Sequence, residues 1–166
     1  MILGLISDTH NKLPEDVLAA LSGVDLILHA GDIGELVILD RLKEIAPLQA
    51  VYGNTDIYSI ASIIPSKLSL YLEDLEILLL HNIGNVKNFS WKIARGDYQP
   101  VPDIVIFGHT HSPFFQKYGN CYFANPGSAA LPRGGIAPTV MRLEIKKGKI
   151  LGHKLIKLRQ DSSSAK

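Results

Sequence analysis

Seven side chains, Asp8, His10, Asp32, Asn54, His81, His109 and His111, offer oxygen or imidazole donors, and each stands just past an apolar run. The stretch IFGHTHSPF, Ile106 to Phe114, shows the pattern: apolar residues reach Gly108, and two histidines follow, separated only by Thr110. No thiolate is among the seven. Such a donor set selects manganese, iron, cobalt, nickel or zinc and argues against a cysteine-type structural zinc site. Seven donors are too many for one ion with an open position, whereas two ions sharing one carboxylate use them all. Paired ions of this kind sit roughly 3.5–4 Å apart and clamp the entering and leaving oxygens of an in-line displacement. Two carboxylates and one hydroxide leave two divalent ions with residual positive charge, since histidine and asparagine add none. An anionic substrate is favoured, and a phosphoryl group fits.

Donors so far apart in the chain need a fold that gathers them. Apolar runs predict strands at Ile2 to Ile6, from Val24, across Leu48 to Tyr52, and over Pro102 to Phe107. Between them, helical spacing predicts helices over about Pro14 to Leu21 and Leu36 to Ile45, with another over Val86 to Arg95. Alternating strands and helices at the start imply parallel β-α-β units. KLSLYLEDLEILLLHN reads as a hairpin turning at Glu73-Asp74, and turns at Tyr118-Gly119-Asn120 and Lys147-Gly148 predict antiparallel strands in the last third. Strand carboxyl ends line a common crevice in open α/β sheets, which would bring the donors together. Ile57 to Pro65 follows a donor loop directly, and its apolar content fits a pocket wall, a contact between copies or core equally well.

The remaining residues bound the problem. With 166 residues, 46% hydrophobic and 20% charged, the chain suits one domain with a substantial core, spanning 1–158, and the tail 159–166 reads as disordered. A net charge of +1 provides no extended nucleic-acid surface. No signal peptide or membrane-length apolar run is visible, so a cytoplasmic protein is expected, with a homo-oligomer left open. Cys121, the single cysteine, reads as a buried small hydrophobe. His29 reads as a buried, hydrogen-bonded support for the donors, His153 as surface, and Trp91 as packing. The lysines at 146, 147, 149, 154 and 157 read as protection for a solvated edge strand.

The ordered motifs DTH at 8–10, GD at 31–32, GNTD at 53–56, His81, GHTH at 108–111 and NPGS at 125–128 resemble the calcineurin-like metallophosphoesterase superfamily. The resemblance is closest to its small single-domain phosphodiesterase branch in bacteria and archaea, and it covers nearly the whole chain. It implies an α/β fold, a four-layer α/β/β/α sandwich of two mixed sheets flanked by helices. By motif position it places Asp8, His10 and His111 on a first ion and Asn54, His81 and His109 on a second, with Asp32 between them. The ions would be manganese by preference, with nickel, cobalt, iron or zinc as alternatives. A bridging hydroxide of lowered pKa would attack phosphorus in a small phosphodiester.

Two positions depart from the wider superfamily. Thr55 stands where many members carry a histidine thought to protonate the leaving group, and Asn82 follows His81 where glycine is common. General-acid help is worth about 10²–10⁴-fold, so Asp56 is a candidate substitute if its pKa is raised. Arg133 is an accessory candidate for phosphate, because a guanidinium can bind two oxygens at once. Two rival readings use the same motifs. One is a non-catalytic scaffold, since a eukaryotic trafficking-complex subunit of the superfamily resembles this chain in size, GHTH and NPGS. The other is a nuclease acting on short oligonucleotides.

Overall fold

Alternation along each strand sorts the apolar residues into layers. The computed structural model describes residues 1–159. Its first sheet contains β1 (Ile2–Ile6), β2 (Leu26–His29), β3 (Leu48–Ala50), β9 (Thr139–Lys146) and β10 (Lys149–Lys157), in the order β10-β9-β1-β2-β3. The second contains β4 (Lys67–Leu72), β5 (Leu75–Leu80), β6 (Ile104–Ile106), β7 (Pro113–Tyr118) and β8 (Cys121–Pro126), in the order β4-β5-β6-β8-β7. β1-β2-β3 and β5-β6-β8 pair in parallel, and the hairpin strands and the β1-β9 pair run antiparallel.

Leu3, Leu5, Leu26 and Leu28 face Ile77, Leu79, Ile104 and Ile106 across the space between the sheets. Their neighbours Ile6 and Ile27 point the other way, onto α1 (Glu15–Ala20), α2 (Leu36–Lys43) and the short α3 (Tyr58–Ala61). On the far side, Leu78, Val105 and Phe123 pack on Phe89 and Ile93 of α4 (Val86–Ala94). The result is a four-layer α/β/β/α sandwich, the predicted architecture.

Several boundaries are tighter than the sequence suggested. Pro14 lies outside α1 as its N-cap, α2 stops at Lys43, and the strand expected over Pro102 to Phe107 keeps ladder geometry only from Ile104 to Ile106. Trp91 is a correction. It is 67% exposed, because Phe89 and Ile93, one helical turn apart, take the inward face of α4 and leave Trp91 on the opposite side. Ile57 to Pro65 divides: Ile60 is core, whereas Ile57, Tyr58 and Ile63 are exposed.

β10 is an edge strand, and its Lys149, Lys154 and Lys157 are exposed, as are Lys146 at the end of β9 and Lys147 in the turn. His153 is exposed there and stacks on Phe115 of β7, closing that side of the sandwich with ring centroids 3.9 Å apart. Cys121 is buried. Of the tail expected from 159, Arg159 donates its backbone N–H to Asp16 at 2.6 Å, and the rest lies outside the described residues. Among the described residues, no helix is long and apolar enough to cross a membrane.

Candidate metal centre

Each parallel strand delivers its chain to one rim of the sandwich. β1 leads to Asp8 and His10, β2 to Asp32, β3 to Asn54, β5 to His81, and β6 to His109 and His111. Backbone bonds lock the loops together: Asp8 N–H donates to Gly31 O, His10 N–H to Asp32 O, and Gly108 N–H to His81 O, each at 3.0 Å. Glycine is needed where loops touch. A Cβ on Gly53 would lie 2.1 Å from Asp32 Oδ1, and one on Gly108 would lie 1.9 Å from Ser7 Oγ. Asp8, His10, Asp32, His109 and His111 all adopt positive φ, between 44° and 66°. Non-glycine residues pay for that conformation with strain, which concentrates where side chains must be aimed.

Two clusters result. Donor atoms of Asp8, His10, Asp32 and His111 all lie within 4.8 Å of one another. In the second cluster Asn54 Oδ1 lies 3.1 Å from His81 Nε2 and 2.9 Å from His109 Nδ1, and Asp32 Oδ2 is 3.4 Å from His81 Nε2. Asp32 belongs to both. Its Oδ1 accepts the Thr55 backbone N–H at 2.9 Å, leaving Oδ2 facing His10 Nε2 at 3.7 Å on one side and His81 on the other.

With the rings neutral, electron pairs in these clusters converge on one another. His111 Nδ1 donates to the Leu131 carbonyl and His81 Nδ1 to the Ala30 carbonyl, so both rings turn an unprotonated Nε2 inward when neutral. His111 Nε2 then meets Asp8 Oδ1 at 3.1 Å. That oxygen is buried and has no hydrogen-bond partner among the described residues. A cation is what such an arrangement lacks, and an oxygen and imidazole set without thiolate suits a divalent transition metal.

Titration behaviour follows the same geometry. Burial pushes Asp8 above the usual carboxylate range. Burial also acts against the charge of Asp32, but hydrogen bonds from His81 and the Thr55 backbone outweigh it and hold Asp32 well below that range. His81 is the counterpart: burial disfavours its cation, yet the bond to Asp32 and the Ala30 carbonyl raise its pKa. Burial and the neighbouring His81 lower that of His109.

Around the donors lies a supporting layer. His29 is fully buried, and burial pushes its pKa down to about 3. Its Nδ1 accepts the Gly31 N–H at 3.2 Å and its Nε2 lies 3.0 Å from Thr9 Oγ1, which donates to Ile33 O at 2.9 Å. A neutral Nε2–H tautomer satisfies all three groups. Asp56 is a brace. Its two oxygens accept N–H bonds from Gly34 and Gly53 at 2.8 Å each, tying the Asp32 loop to the Asn54 loop, so they aim no proton into the site. Arg133 is exposed on the loop after NPGS.

The sequence had not assigned the carbonyls of Ala30 and Leu131, nor the role of NPGS. Asn125 Nδ2 donates to Gly108 O at 2.8 Å, and Ser128 Oγ donates to Asp8 O at 2.8 Å while accepting the Leu131 N–H at 2.8 Å. The motif itself was the signal, since it pins the loop that orients His111.

Residues 1–148 match the calcineurin-like phosphoesterase superfamily domain. The chain belongs to that family. Among its relatives, a protein named "probable metallophosphoesterase" from Methanothermobacter thermautotrophicus is 37% identical over 159 residues, covering 87% of this chain and 86% of that one. The solved structure of an archaeal phosphodiesterase superposes with a TM-score of 0.77 at 27% identity, covering 95% of this chain and 100% of the other. Zinc-complexed Vps29 of Entamoeba histolytica shares the fold, with a TM-score of 0.77 at 23% identity over 95% of this chain and 98% of its own.

Proposed function

We propose that this member of the family is a metal-dependent phosphodiesterase with a dinuclear centre acting on a small phosphodiester. The observation that carries the reading is the position of Asp32 Oδ2, 3.7 Å from His10 Nε2 and 3.4 Å from His81 Nε2, where one oxygen serves both donor clusters. Asp8, His10 and His111 would hold one ion, Asn54, His81 and His109 the other, and Asp32 both. Manganese is the first candidate, with nickel, cobalt, iron and zinc as alternatives. Bound ions would supply a water acidic enough to attack phosphorus at neutral pH and positive charge for the phosphoryl oxygens.

The chain's own contribution is positioning. The Ala30 and Leu131 carbonyls fix two rings, the Thr55 N–H selects which oxygen of Asp32 is shared, and the Asp56 brace keeps the loops at one separation. With Thr55 non-acidic and Asp56 committed to backbone amides, this loop offers the leaving group no proton. Esters with acidic alcohols should therefore react fastest. A diester, with one negative charge, suits a site whose donor loops carry no cluster of arginines.

The test is hydrolysis of a chromogenic phosphodiester by chelator-stripped protein titrated with manganese, beside Asp32→Asn. Metal-dependent turnover that the variant loses supports the reading. Tight metal binding with no turnover for any of the candidate ions overturns it in favour of a binding role for the same fold. That second reading has one structural observation behind it. Leu36, Val37, Ile57 and Tyr58 are exposed apolar residues on the two segments that Asp56 ties together, beside the donors.

A further inference from the structure

Between β8 and β9 the chain forms an arch with two fixed feet. At the first foot the buried Ser128 bonds to Asp8 O and to the Ala130 and Leu131 amides, and Ala129 N–H donates to Ser7 O at 3.0 Å. At the second, Thr139 Oγ1 donates to Pro126 O at 2.6 Å, and Leu158 N–H donates to Pro138 O at 2.8 Å. The tip between them is open. Gly134 and Gly135 have φ of 70° and 72°, and a Cβ on either would touch nothing within 4 Å.

Arg133 stands at the start of that tip, two residues beyond Leu131, whose carbonyl accepts from His111 Nδ1. Arg41, Arg95 and Arg142 each donate to a partner, whereas Arg133 makes no hydrogen bond or ion pair among the described residues. None of the seven donor side chains carries a fixed positive charge. An always-charged, unpaired guanidinium, on a loop held two residues earlier to the ring of His111, is placed for an anion with two oxygens to offer.

We propose that Arg133 is a phosphoryl-binding residue whose guanidinium takes two non-bridging oxygens of the scissile phosphate, or of the phosphate product, on the His111 side of the donor clusters. The assignment rests on the phosphoesterase reading and deepens it. It makes affinity for the phosphoryl group depend on a side chain outside the donor set. A fork favours oxygens bearing more charge, so Arg133 should strengthen binding of a dianionic phosphate more than of a monoanionic diester.

The experiment compares wild type, Arg133→Lys and Arg133→Gln, all loaded with manganese and matched for metal content. It measures KM and kcat for the chromogenic diester, competitive inhibition by inorganic phosphate, and phosphate binding by calorimetry. Loss of charge-assisted hydrogen bonds predicts a KM about tenfold higher and phosphate affinity at least about tenfold weaker in Arg133→Gln, with kcat within about threefold. Arg133→Lys, which keeps charge without the fork, should fall between. Unchanged KM and phosphate binding in Arg133→Gln overturns the proposal and leaves the phosphoesterase reading standing. A wild type without turnover that binds phosphate, and loses that binding in Arg133→Gln, overturns the phosphoesterase reading and keeps the anion site.

Discussion

His81 Nδ1 lies 2.7 Å from the carbonyl oxygen of Ala30, and this contact decides what the other edge of the ring can do. With Nδ1–H donated, Nε2 must take either a proton or a cation to face Asp32 Oδ2.

Proton and metal therefore compete. Asp32 and the Ala30 carbonyl raise the pKa of His81 above its ordinary value, so the metal-free ring holds a proton that ligation must displace. Manganese affinity should rise with pH through the neutral range. Calorimetric titrations in buffers of different ionisation enthalpy should show proton release on binding, and identical heats after correction for dilution would contradict it.

Asp8→Asn should separate stability from ligation. The asparagine carbonyl can still accept the His109 N–H that Asp8 Oδ2 accepts at 3.1 Å, and its amide can donate to His111 Nε2. Relieving the partnerless buried oxygen should stabilise the metal-free protein by ~1 kcal/mol, a rise in Tm of about 2–4 °C for a chain of this size. Manganese should raise the Tm of the wild type and not of the variant, as thermal melts with and without chelator would show.

Removing the Asp56 brace should do the reverse. Asp56→Ala leaves the Gly34 and Gly53 amides without their acceptor, a loss of about 1–3 kcal/mol for each that stays shielded from water. Urea unfolding should show the loss. Metal analysis should show weaker loading, with Asp56→Asn in between because it retains one carbonyl oxygen.

His29 predicts an acid limb in stability. Its folded pKa is about 3, below the ordinary value of 6.5, so between these values the unfolded chain binds a proton that the folded chain refuses. The contribution is complete above 6.5 and is lost progressively as pH falls toward 3. His29→Gln should flatten this part of the stability curve, measured as the difference in urea midpoints between pH 7.5 and pH 5.

Cys121 should be chemically silent in the folded state. Burial pushes its thiol up to about 12, far from the thiolate that alkylating reagents need. Iodoacetamide at pH 8 should modify it only after denaturant is added, a result read by mass spectrometry.

A layered α/β domain could be read from the pattern because β1, β2 and β6 are apolar runs ending in a glycine or a polar donor and the hairpins carry their own turn residues, whereas the two-sheet sandwich followed from the family resemblance. The donors were visible for the same reason, as side chains of distinctive type stranded at the ends of core segments. Trp91 was misread because the inward face of α4 is chosen by the position of the second sheet, which local spacing does not contain. α3 has four residues, too few to display a period. The carbonyls that orient His81 and His111 left no trace, since every residue has one and only the fold says which is near. Asp56 looked like an acid by type and proved to be a brace by its two amide partners.

The strand order of the first sheet places β1, made first, between β2 and β9, and β9 does not begin until Thr139. On the ribosome, one edge of β1 must wait while the chain from Ser7 to Pro138 is produced. At roughly 5–20 residues per second, that interval lasts several seconds or more. Asp8 and His10, which follow β1 directly, are without the Ser128 bond to the Asp8 carbonyl and the β9 partner strand until then. The segment bearing β1 thus emerges as an incomplete β-structure with an open hydrogen-bonding edge, and the donor cluster is completed only at a late stage of synthesis.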